Sequence, residues 1–319
     1  MAKKVTTVRE YPRQAPVRAK NPMGHATYLS KQAGESRKYD IFIGVDQTGA
    51  VNKNGLPREL PATVLFCKEN KIEVVTNIFI PSFQTDQLES LIKTVIPEGV
   101  SSKELEAFVC VDAALGLPDS TGVSLRKILE RIRDFEFEGK VYGSVTANEF
   151  FYGWTDGRRP KGRAIEKISG SNSVFDLHPF QRNIGCGTYR ILKEVSRSRP
   201  NYLIWPFELG QGTGGRVYVM AEGYPSLYWK MLLGLRKRSL ESIQELFPDL
   251  YFASVDSADS FLLALAGLLY HNQVFNVPLD HICRREGWIL GVPYEPVETM
   301  SFDPWQSTLR AQEFLQRSS

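Results

Sequence analysis

Apolar residues are spread unevenly along the chain, and the spacing of the apolar runs predicts alternating strands and helices. Residues 1–38 show no sustained apolar period and are interrupted by Pro12, Pro16, Pro22 and Gly24, so a flexible arm is expected there. The pattern changes at Tyr39. Residues 39–45 are almost continuously apolar and end at Asp46, which predicts a strand covered on both faces. Residues 62–67 and 72–80 read as two more strands, separated by Glu69-Asn70-Lys71 in the manner of a tight turn. The three together suggest an antiparallel meander. Residues 85–95 then place Leu88, Leu91, Ile92 and Val95 at helical spacing, and residues 107–111 form another buried strand ending at Asp112. A meander, a crossover helix and a fourth strand lying beside the first make half of a mixed α/β sheet.

Regularity is lower over residues 119–200, where 125–135 and 187–195 are the helical stretches, and an inserted cap is expected. Strand patterns return at 202–207 and 216–221. The second leads through Glu222-Gly223-Tyr224-Pro225 into a helix running to about Leu235. Residues 258–270 form a strongly apolar helix, with Ser254, Asp256 and Ser257 as candidate N-caps. The expected organisation is a basic arm over 1–38, one mixed-sheet domain of about five central strands over 39–300, and a helical tail over 301–319.

Composition narrows the class. With 319 residues and 42% apolar content, the chain can bury a substantial core. The longest apolar run, residues 261–270, is far short of a bilayer span, and Lys3 and Lys4 are followed by no apolar stretch, so neither a membrane anchor nor a signal peptide is expected. Cys67, Cys110, Cys186 and Cys283 form no CxxC pair, which points to buried thiols in a reducing cytoplasm rather than to zinc or disulfides.

Charge is more informative in its distribution than in its net value of +3. Residues 1–38 hold nine Lys or Arg against two Glu, and residues 158–199 hold ten Lys or Arg against three acids. The rest of the chain is acidic. A basic arm and a basic insertion on an acidic body suit a nucleic-acid partner, although solvated charged faces explain such runs equally well.

The candidate chemistry lies in acids that end strands or begin a helix. Asp46 and Asp112 each close a buried strand, where open α/β sheets place their ligands. Glu222 stands at a strand-to-helix junction, and Asp256 and Asp259 share one face at the start of the last core helix. Four separate segments thus bring carboxylates towards one place. Each acid also has an ordinary structural alternative: Asp46 as an acceptor for turn amides, Asp112 as a strand-ending turn residue, Asp256 as a helix cap.

These segments resemble the predicted nucleases of the domain-of-unknown-function family numbered 429, within the RNase H-like superfamily, over roughly residues 40–292. Ile43-Gly44-Val45-Asp46 is similar to the family's first strand with its metal-binding Asp. Val111-Asp112-Ala113-Ala114-Leu115-Gly116-Leu117-Pro118 resembles its most specific segment, with Ala114 in place of the usual Pro. Glu222-Gly223-Tyr224-Pro225, Asp256-Ser257-Ala258-Asp259 and Glu286-Gly287-Trp288-Ile289 resemble three further segments, and Ser260 stands where Ala is usual. The resemblance implies an RNase H-like fold and metal-dependent phosphodiester hydrolysis of nucleic acid.

Two magnesium or manganese ions suit such a hydrolysis, because hard oxygen ligands hold them and paired ions assist both attack and departure. Asp46, Asp112, Glu222 and Asp259 are the expected catalytic ligands: Asp46 bridging, Asp112 and Glu222 on one ion, Asp259 on the second, with Asp256 auxiliary. Two competing readings stand beside this one. An actin-like kinase or ATPase is suggested by Asp46-Gln47-Thr48-Gly49, and a non-catalytic nucleic-acid or protein-binding module would keep the fold without the chemistry. Other motifs carry less. Residues 210–215, rich in glycine, lack a phosphate loop's Lys-Ser/Thr ending, His178, His271 and His281 are isolated, and Phe150, Phe151, Tyr152 and Trp154 suit packing of the cap as well as base stacking.

Overall fold

The strands are β1 (Arg18–Ala19), β2 (Ile41–Val45), β3 (Leu60–Lys68), β4 (Lys71–Ile80), β5 (Ala107–Val111), β6 (Tyr202–Ile204) and β7 (Tyr218–Glu222). They form one mixed sheet in the order β1-β4-β3-β2-β5-β7-β6. The structure is a computed structural model describing residues 18–19, 39–47, 51–52, 54–68, 71–96, 105–155, 158–175, 184–198, 202–208, 218–275, 277–278 and 281–294. The expected flexibility of the arm, the helical tail, the 210–215 turn and His178 fall outside the described residues, apart from the short edge strand β1.

The meander is present. β2, β3 and β4 pair antiparallel in sequence order, and β2 then pairs in parallel with β5, Val45 opposite Val111. β7 continues the parallel half beside β5, and β6 adds an outer parallel strand. The five strands expected at the centre are therefore β4, β3, β2, β5 and β7, with β6 and the two-residue β1 as additions at the edges.

Helices cover both faces: α1 (Thr85–Val95), α2 (Leu125–Ile132), α3 (Ser144–Tyr152), α4 (Ala164–Ser169), α5 (Ile184–Ser198), α6 (Pro225–Leu233), α7 (Leu240–Leu246), α8 (Val255–Tyr270) and α9 (Cys283–Glu286). On one face Ile43, Val45, Val109 and Val111 pack with Leu88 and Ile92 of α1, Ile128 of α2 and Ile191 of α5. On the other, Phe42, Phe108, Cys110 and Ala221 pack with Trp229 of α6 and with Leu262 and Leu263 of α8. Alternation along each central strand supplies both layers, as the near-continuous apolar runs required.

The inserted cap needs correction. α5 is buried from residue 185 to 196 and belongs to the same apolar cluster as β2 and β5, so it is a covering layer of the sheet. Its polar residues are satisfied internally: Arg190 pairs with Glu194 at 2.9 Å, and Lys193 donates to the carbonyls of Ile132 and Phe135 at 3.0 and 2.6 Å. A helix with charges on every turn reads as exposed in sequence, yet here the charges cap α2 and pair with one another.

One close approach fixes the geometry of the site. A Cβ at Gly44 would lie 1.9 Å from the Ser260 carbonyl oxygen and 2.3 Å from the Ala264 nitrogen, so α8 crosses β2 backbone to backbone. Ser260 bonds Thr63 on β3 at 2.9 Å, which accounts for a hydroxyl in this buried position. Among the described residues no helix is long and apolar enough to cross a membrane. All four cysteines are buried free thiols.

Candidate metal centre

Pleat and register decide which acids meet. Gly44 faces α8, so Asp46, two residues on, continues on the same side just past the end of β2. Val45 and Val111 are paired, which sets Asp112 beside Asp46, and Cys110 confirms that its side of β5 also faces α8. The chain holds this corner with backbone bonds: Asp112 N–H donates to Val45 at 3.0 Å and Asp46 N–H to Pro61 at 3.0 Å.

α8 delivers the remaining acids. Its N-cap is Ser254, whose side chain accepts from the Ser257 amide at 3.1 Å. The capping alternative for Asp256 is thereby removed, and Asp256 sits in the first turn, exposed, one turn before the fully buried Asp259. Asp46, Asp256 and Asp259 each place one carboxylate oxygen within 4.8 Å of the others. Asp112 ends the strand paired beside that of Asp46, and the two carboxyls lie close enough to shift one another's ionisation.

The electrostatics follow from crowding acids at a buried corner. Asp46 is held well above the ordinary carboxyl range, first by burial and then by Asp112, Asp259 and Asp256. Asp112 is pushed up to about 7 by burial and Asp259, against the lowering effects of the Asp46 carboxyl beside it and of Arg238. Burial also raises Asp259, opposed by two donors: Trp229 Nε1 at 2.5 Å on Oδ1 and Arg238 Nη1 at 2.7 Å on Oδ2. One guanidinium is left to balance several carboxyls. The donor set is entirely hard oxygen and excess in negative charge, which fits a magnesium-like cation and does not fit a soft metal.

Glu222 departs from expectation. It pairs in register with Val111, one residue short of Asp112, so the pleat turns it to the opposite face from the acid cluster. Gly223 occupies the facing position instead, where a Cβ would meet Leu263 at 2.3 Å and Cys110 at 2.7 Å. Both Glu222 oxygens are taken by Arg163, at 2.6 and 2.7 Å, and Oε2 also accepts the Leu115 amide at 3.0 Å. Arg163 is itself buried, bonded to Glu166 at 2.7 Å and to the Glu286 carbonyl at 3.2 Å. Glu286 in turn accepts the amides of Asp119 and Ala164 at 2.7 and 2.6 Å. This network anchors the loop after Asp112. It gives Glu222 a positioning task in place of the expected ligand role, and the Glu286 segment shares that task.

The remaining candidates are structural or peripheral. Phe150 and Phe151 are fully buried, Phe150 packing on Phe135 and Tyr189, and Trp154 lies 4.5 Å under the Arg131 guanidinium, which favours packing over base stacking. His271 is buried, and His281 meets Trp288 and Tyr294 edge to face. Arg163, Arg190 and Lys193 are internal, so the basic count of residues 158–199 overstates what faces outward. Trp229, Arg163 and Arg238 carried no sequence signal beyond a Trp in an apolar helix and Arg residues in charged runs. No protein-family model matches the chain, and no curated protein or solved structure matches it either.

Proposed function

We propose that this chain is a metal-dependent phosphodiesterase of RNase H-like architecture acting on nucleic acid, with magnesium or manganese as the cofactor. The observation that carries the reading is the meeting of Asp46, Asp256 and Asp259 within 4.8 Å at the carboxyl end of β2, with Asp112 ending the parallel strand beside it. Supporting it is the strand order, an antiparallel meander whose first strand pairs in parallel with the fourth, which is the arrangement the resemblance to the family numbered 429 implies.

Asp46, Asp112, Asp256 and Asp259 would hold the cation. When bound, it supplies charge that eases the formation of a nucleophile from water and the departure of the leaving oxygen. The chain's own part is positional. Trp229 fixes the rotamer of Asp259, Gly44 admits α8 to the strand that carries Asp46, and the Arg163–Glu222 pair holds the loop that follows Asp112. Asp256, exposed, faces the side from which a substrate reaches the cation.

The test is metal-dependent cleavage of labelled single- and double-stranded DNA and RNA by the wild type and by Asp46→Asn and Asp259→Asn. Cleavage that needs manganese or magnesium and is lost in both variants supports the reading. Metal binding without cleavage of any substrate points to the non-catalytic module, and an absence of metal binding removes the reading altogether.

A further inference from the structure

A run of cations that apolar patterning passes over ends on the acid cluster, where Arg238 meets Asp259. Arg236, Lys237 and Arg238 are consecutive and exposed in the non-helical stretch between α6 and α7. α6 ends here because Gly234 adopts the left-handed conformation at φ +69°, and the stretch that follows carries Arg238 to Asp259. Arg238 Nη1 donates to Asp259 Oδ2 at 2.7 Å, and the two side chains differ in cover: Arg238 is 50% exposed and Asp259 1%. The guanidinium therefore stands at the boundary, one edge on a buried carboxylate and the rest in water. It has five N–H donors, of which Asp259 engages one.

We propose that residues 236–238 are the phosphate-binding edge of the centre, and that Arg238 passes from Asp259 to a nucleic-acid phosphate when a divalent cation occupies the carboxylates. This rests on the metal-dependent nuclease reading. A divalent cation on Asp259 competes for the same oxygen and removes the excess negative charge that holds the arginine. With the cation compensating the buried Asp259 carboxylate, release of the half-exposed arginine strands no buried charge. A phosphate presents the geometry that a guanidinium fork matches in two bonds. Three cations in consecutive residues suit a backbone of repeated phosphates better than a single phosphoryl group. Among the described residues, 234–250 hold no exposed large apolar side chain of the kind that inserts into a membrane surface.

The experiment measures two quantities on the full chain: the manganese-induced rise in melting temperature, and the salt dependence of binding to a fluorescent duplex oligonucleotide, in calcium to prevent turnover and in EDTA. For R236Q/K237Q, the slope of log K against log salt should become shallower by about 2, at roughly 0.9 per lost phosphate contact, with the manganese response unchanged. For Arg238→Gln the slope should fall by about 1 in calcium and not in EDTA. Arg238→Lys, which keeps the charge, should keep the slope and guards against loss through misfolding. Unchanged slopes in the Gln variants, or a wild type that does not bind the duplex, overturn the proposal. An equal fall for Arg238→Gln in both buffers overturns the hand-over. If manganese leaves the wild-type melting temperature unmoved, the nuclease reading and the hand-over fall together, and the R236Q/K237Q slope alone decides the phosphate edge.

Discussion

Glu222 and Arg163 meet through two parallel hydrogen bonds, Nη2 to Oε1 at 2.6 Å and Nη1 to Oε2 at 2.7 Å, in a part of the molecule that water does not reach. Removing one partner of such a pair strands the other's charge. Glu222→Gln is therefore expected to destabilise the fold by about 3 kcal/mol in denaturant unfolding while leaving the magnesium-induced rise in melting temperature in place. Loss of the magnesium response in a folded variant would return Glu222 to the ligand set.

Asp46→Asn is expected to behave in the opposite way. Two carboxylates about 5 Å apart repel by about 3 kcal/mol at an effective dielectric near 20, and Asp46 has three acidic neighbours. The variant should melt higher than the wild type without metal, by a margin that grows with pH because a protonated Asp46 already resembles Asn. It should also lose most of the magnesium response and any cleavage. Lower melting at every pH would identify Asp46 as a simple acceptor for turn amides.

The pH dependence has a definite sign. Asp46, Asp112 and Asp259 have folded-state pKa values above the unfolded ones, so the native state holds more protons than the unfolded chain in that interval. Their contribution is fully present below about pH 4 and is lost as pH rises through the Asp112 value of about 7. Scanning calorimetry of metal-free protein between about pH 5 and pH 8 should show a decline that Asp112→Asn makes shallower and manganese flattens. A wild-type profile that rises over this interval and is unaltered by Asp112→Asn would contradict the acid cluster.

Gly44→Ala tests the scaffold without touching a ligand. The added Cβ would sit 1.9 Å from the Ser260 carbonyl, and backbone cannot rotate away as a side chain can. A loss of about 3 kcal/mol is expected, with weaker manganese binding measured by calorimetry on the folded fraction. Ser260→Ala, which removes the hydroxyl's bonds to Thr63 and to the Ser257 carbonyl, should cost on the order of 1 kcal/mol and keep the manganese affinity.

The parts of this molecule that the sequence displays are those governed by local periodicity. β2 and β5 were legible as unbroken apolar runs, and Asp46 and Asp112 as acids closing them, because strand ends and parallel pairing leave little choice of face. Glu222 closes a strand in the same way and lands on the other face, since a single residue of register between β5 and β7 reverses the pleat, and register is set by tertiary pairing. α5 was hidden for a related reason. Its Arg190, Lys193 and Glu194 read as a solvated face, but their partners lie far off in the chain, Arg190 reaching the carbonyls of Arg58 and Pro81 and Lys193 those ending α2. Arg238 was invisible because its reach to Asp259 depends on where Gly234 stops α6.

Most of the chain separates Asp46 from Asp256 and Asp259, and these acids come together only when α8 has settled over Gly44. During synthesis, then, a chain that binds divalent cations in the proposed way would be blind to them until α8 has left the ribosome. On the proposed metal reading the ion would act as a seal applied late: present from the start, it would reward only the copy whose α8 has docked. Chains cut short before residue 255 should show no cation-dependent protection from protease, however much of the sheet they have assembled.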